Sequence, residues 1–192
     1  MPVRKILSDF KEIVDPKHTA LVIWDVQNLL VSRIFNREEF LRNVAELIAK
    51  ARKADIPIFF TKITPLPERF ESAPRLSQRR FPGGLTPEQM ELSIRPAEGD
   101  VVLFKNTANI FIGTNFELMI RNAGIQTIVF SGIATEIGIE SSARDSLNRG
   151  FYTVVVEDAV SSADKAAHER SLANMRNMLI VKGASEIAET WS

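Results

Sequence analysis

The feature that most constrains this chain is an alternation of short runs, apolar nearly throughout, with longer segments of helical period. The runs are Thr19–Trp24 (TALVIW), Ile56–Thr61 (IPIFFT), Val101–Phe104 (VVLF), Thr127–Phe130 (TIVF), Tyr152–Val156 (YTVVV) and Leu179–Val181. A strand that is apolar on both faces fits a sheet covered by helices on both sides. Helical patterns occupy 37–54, 114–123, 137–149 and 163–177. In the first, Phe40, Leu41, Val44, Leu47 and Ile48 share one face, with charged residues opposite. Gly124 and Gly150 stand where a left-handed residue closes a helix before the next strand. Strand–helix alternation predicts a parallel sheet with right-handed crossovers. The expectation is an α/β fold: a three-layer α/β/α, Rossmann-like domain with a six-stranded, mostly parallel sheet in the order 3-2-1-4-5-6.

The 192 residues suit one domain spanning 1–192. Within it, the long irregular stretch 63–100 carries Pro65, Pro67, Pro74, Pro82, Pro87 and Pro96. A connection of that length is usually functional, and it reads as a lid or an oligomer contact. With 24 basic and 24 acidic residues, the chain lacks the broad positive field of a nucleic-acid or anionic-membrane binder. Without cysteine it has no disulfide, thiolate metal site or thiol nucleophile. No apolar run approaches the ~18 residues of a membrane span, and the first residues lack a signal-peptide core. A cytoplasmic protein is expected.

Ligands of such sheets bind beyond the carboxyl ends of the strands, near the reversal of strand order. Asp25 closes the first strand in ALVIWDVQN, Lys105 closes the third in VVLFKNTANIF, and Ser131–Gly138 (SGIATEIG) joins the fourth to its helix. A carboxylate, an ammonium and a helix start at one edge suit polar catalysis. Each residue also has a plainer reading. Asp25 is then a turn former, Lys105 a snorkelling side chain, and Gly138 a glycine that permits close packing.

In TALVIWDVQN, in FKNTANIFIGTNFELMIRNAGIQTIVFSGIAT and in GIATEIGIESSARDSLNRGFYTVVVEDAVSS, the chain resembles the isochorismatase-like hydrolases, also called cysteine hydrolases. The three blocks run from about Thr19 to Ser162 in the family's order. The resemblance implies that Asp25 and Lys105 are catalytic residues, and that Gly138 occupies the position of the nucleophilic cysteine. It further implies substrate contacts from Gln27, Ala134, Thr135, Glu136 and Ile137, a cis peptide at Ala134–Thr135, and a homo-oligomer, dimer or tetramer.

Glycine offers no nucleophile. Gly138 resembles the isochorismatase branch, which cleaves a vinyl ether without a covalent intermediate. On that reading Asp25 is the general acid, and Gly138 leaves room for substrate or water. A lysine neighbour lowers a carboxyl pKa, so general-acid work requires compensating burial. An alternative is a catalytically silent member that binds a ligand or partner.

Arg75, Gln78, Arg79 and Arg80 form either a solvated face or a site for a substrate carboxylate. Glu140 and Arg144, four apart, suit a surface pair. Asp158 reads as structural, ending the fifth strand. His18 and His168 lack metal-site spacing. The stretch after strand two, TKITPLPERF, lacks the metal motif of the nicotinamidase branch, so no cofactor or metal is expected. Trp24 and the twelve Phe residues read as core and interface filling, with Phe35, Phe70 and Phe81 the interface candidates. The expected partner is a small-molecule substrate.

Overall fold

The computed structural model describes residues 6–77 and 85–191. In chain order it contains α1 (Phe10–Ile13), β1 (Thr19–Trp24), α2 (Asn28–Val31), α3 (Arg37–Lys53), β2 (Ile58–Ile63), α4 (Ala73–Ser77) and α5 (Pro87–Met90). There follow β3 (Val101–Lys105), α6 (Phe116–Asn122), β4 (Thr127–Ile133), α7 (Glu140–Asn148), β5 (Tyr152–Ser161), α8 (Lys165–Arg176), β6 (Ile180–Lys182) and α9 (Ala184–Thr190). The sheet is parallel throughout, in the order β3-β2-β1-β4-β5-β6. That is the order expected from the sequence.

Successive residues of the buried strands point to opposite layers. Leu21 and Ile23 of β1 pack with Val44, Leu47 and Ile48 of α3 and with Ile187 of α9. Ala20, Val22 and Trp24 pack with Phe116 and Ile120 of α6, Ala143 of α7 and Met175 of α8. The side chain of the last residue of β1 therefore lies in the α6–α8 layer, beside the segment that follows β4.

The structure corrects several boundaries. β2 is shifted two residues along, β4 runs on to Ile133, and β5 to Ser161. Asp158 does not end β5. It lies where the β4–β5 register jumps from Phe130↔Val155 to Gly132↔Val160. Its Oδ1 accepts from the Ala184 N–H at 2.7 Å, holding the start of α9. Gly124 and Gly150 take the left-handed φ values of 71° and 85° read from the sequence. Stretch 63–100 is not structureless, since it contributes the last residue of β2 as well as α4 and α5. Phe35 and Phe70 are 40% and 69% exposed, while Phe81 lies outside the described residues. Among the described residues, no helix is long and apolar enough to cross a membrane.

Candidate active site

β1 delivers Asp25 to the edge between β1 and β4, where the strand order reverses. Asp25 has a left-handed backbone, φ 50°, rare for a residue with a side chain. It is 4% exposed. Oδ1 accepts from the Thr61 hydroxyl at 2.6 Å, and the same hydroxyl accepts from the Asp25 N–H at 3.0 Å. Oδ2 accepts from Lys105 Nζ at 2.6 Å. Lys105, 1% exposed, also donates to the Thr107 carbonyl at 3.2 Å. Its ammonium lies 3.8 Å from the centroid of the Trp24 ring.

Burial raises the Asp25 carboxyl above its ordinary 3.8, against the opposing pull of Lys105 and Thr61. Burial likewise lowers the Lys105 amine from 10.5, and Asp25 only partly restores it. Both directions favour the neutral forms, as expected where desolvation outweighs pairing. A proton can therefore pass from amine to carboxyl without changing the charge of the site.

Gly138 does not leave room for substrate or water. A Cβ built there would overlap Nε1, Cε2 and Cζ2 of Trp24, so the indole fills the space into which a side chain at 138 would project. Trp24 is itself 1% exposed. On the other side, Gly132 (φ 130°) lies against the Trp24 backbone so closely that a Cβ would collide with it. The cis peptide is present, but at Ile133–Ala134, one residue before the expected bond.

The remaining residues divide. Arg75 donates through Nη1 to the carbonyl of Asn106, the residue after Lys105, and stands 4.0 Å from Glu71. Gln78, Arg79 and Arg80 lie outside the described residues. The Gln27 amide is committed at both ends: Oε1 accepts from the Ile63 N–H and Nε2 donates to the Met90 carbonyl, both at 2.9 Å. Gln27, in the turn after β1, thus ties the end of β2 to the end of α5, and its bridge to Leu92 holds the strap that follows α5, residues 91–93.

Beyond β4, a π turn (Thr135–Ile139) precedes α7. Ala134 is partly buried against the core. Thr135 pairs through Oγ1 with His168 Nδ1 at 2.8 Å, and Glu136 Oε1 accepts from Ser162 Oγ at 2.8 Å. These two side chains are engaged with the β5–α8 segment. The Ile137 N–H donates to the Ala134 carbonyl and its side chain is 41% exposed. Glu140 is more than half of a surface pair, since it accepts from Arg144, Ser171 and Asn174 and joins α7 to α8.

Sequence reading missed two members of the site. Thr61 sits inside the apolar run IPIFFT, where threonine signals only β preference. Trp24 lies in the core, as the sequence suggests; its second contact, with the Lys105 ammonium, had only a bulky aromatic directly before Asp25 as its signal.

The Isochorismatase domain matches residues 19–186. The chain is 31% identical over 165 residues to YecD, an uncharacterized isochorismatase family protein of Escherichia coli O157:H7, covering 83% of this chain and 88% of that one. It is 28% identical over 177 residues to the ureidoacrylate amidohydrolase RutB of Pantoea ananatis, covering 77% and 71%. An isochorismatase family protein from Burkholderia thailandensis superposes with a TM-score of 0.78 at 28% identity, over 92% of this chain and 96% of that one. A cysteine hydrolase from Pseudomonas syringae pv. phaseolicola 1448A shares the fold with a TM-score of 0.86 at 18% identity, over 98% of each chain. With strand order, strand-end Asp25 and Lys105 and this domain match in agreement, the chain belongs to the isochorismatase family of hydrolases.

Proposed function

We propose that this hydrolase works without a covalent enzyme intermediate, with Asp25 delivering a proton and water acting as nucleophile. The observation that carries this reading is the Asp25 carboxyl, raised by burial although an ammonium lies 2.6 Å away. The absence of cysteine agrees with it. An enol ether fits this chemistry best. Asp25 protonates the methylene carbon, and the oxocarbenium ion that forms is offset by the negative charge left on the Asp25–Lys105 pair. Water adds, its proton returns to the pair, and the hemiketal collapses to a ketone and an alcohol. With isochorismate the products are pyruvate and a diol. Arg75, which donates to the carbonyl of Asn106 next to Lys105, suits a substrate carboxylate, a role the charge cluster of the sequence extends to Gln78 and Arg79. The reaction needs no cofactor.

A second reading is a family member that binds its ligand without turnover. The indole in the nucleophile's place favours it. Purified protein incubated with isochorismate should release pyruvate, and Asp25→Asn should lower the rate by about 10²–10⁴-fold. Turnover surviving in that variant removes Asp25 from its role. Thermal stabilisation by small carboxylates, amides or enol ethers, with no product, supports the binder.

A further inference from the structure

The ammonium of Lys105, 1% exposed, has three N–H bonds to place. One goes to Asp25 Oδ2 at 2.6 Å and one to the Thr107 carbonyl at 3.2 Å. The Trp24 ring, 3.8 Å from Nζ to its centroid, offers the third a π face. The same indole fills the space in front of Gly138. One side chain thus does two things: it covers the cation and removes the volume that a side chain at 138 needs. The end of β1 carries the larger residue where the π turn carries no side chain.

We propose that Trp24 is a positioning residue that has taken over the nucleophile's volume and seats Lys105 against Asp25, so that position 138 can gain a side chain only where position 24 gives up volume. It follows that thiol chemistry is excluded here by the indole as well as by the missing sulfur. Gly138→Cys alone places the thiol in occupied space. The inference stands on packing and on one cation, and does not depend on which bond the enzyme cleaves.

The first test is a double-mutant cycle read by thermal unfolding. Gly138→Ala and Gly138→Cys should each lower Tm by about 3–10 °C beside Trp24. Beside Trp24→Val, or the smaller step Trp24→Phe, the loss should shrink to less than half. Equal losses in both backgrounds overturn the shared volume. In Trp24→Val/Gly138→Cys, the thiol should ionise at lower pH than free cysteine, as expected beside Lys105, read by thiolate absorbance at about 240 nm in a pH titration. Ionisation at or above the pH of free cysteine places the sulfur away from the ammonium and overturns the assignment.

The second test reads the seating of Lys105, whose facing charges are Asp25 and, farther off, Arg75. Removing the π face should let the amine lose its proton more easily. The gain in stability that Lys105 contributes as pH rises through its folded value should then begin about one pH unit lower in Trp24→Leu. Trp24→Phe, which keeps an aromatic face, should move the onset less. An onset unmoved in Trp24→Leu refutes the positioning role.

Discussion

Asp25 and Lys105 form a buried pair whose cost depends on pH. For Asp25, with its pKa raised, the stabilising contribution is fully present below 3.8 and is lost as pH rises through the folded value. For Lys105, lowered, the contribution is present above 10.5 and is lost as pH falls through the folded value. Compared with Asp25→Asn/Lys105→Met, the native pair should therefore be least favourable between these windows and gain toward both extremes. Urea unfolding from pH 4 to pH 10 checks this, and a difference that peaks near neutrality contradicts it. Either single substitution should cost about 3–5 kcal/mol, because it strands the other group. Both residues were legible in the sequence, since each is a charge at the end of an apolar strand. Their partners were not. Thr61 looks like any β-forming residue, and the exchange of volume between Trp24 and Gly138 joins positions that only the fold brings together.

At the scale of elements, long periodic or uniformly apolar segments were read to within a residue or two, as α3 and β1 show. The errors fall where small or polar residues continue a strand. Ser131 and Gly132 extend β4 because Ser131 donates to the Ala159 carbonyl across the register jump and Gly132 pairs with Trp24. α9 escaped notice because its seven residues, ASEIAET, carry too few apolar positions to show a period. Gly132 gives the sharpest prediction here. Its φ of 130° and its contact with the Trp24 backbone leave no room for a methyl group. Gly132→Ala should cost about 3 kcal/mol or more, a Tm loss of roughly 6–12 °C for a chain of this size. A loss under about 2 °C would falsify the close β1–β4 approach.

For the molecule as a whole, the strand order places the site at the reversal between β1 and β4, which is why fold and site edge could be inferred together. The strap after α5 could not. Its link to the turn after β1 rests on the Gln27 bridge to Leu92, on Asn28 accepting from Ser93 Oγ at 2.7 Å, and on the Ser93 N–H donating to the Val26 carbonyl at 2.8 Å. None of these contacts has a period in the sequence. Gln27→Ala should speed amide hydrogen exchange at Ile63, whose N–H it frees, by at least about tenfold if that bond is worth ~1.4 kcal/mol or more. Mass spectrometry of peptides covering 58–66 checks this, and unchanged exchange would show the clamp to be idle.

The screening of the pair has a kinetic consequence. With Asp25 4% and Lys105 1% exposed, a small molecule reaches carboxyl and amine only after the protein opens around them. Observed association rates should then level off with rising ligand concentration at a ceiling set by the rate of that opening.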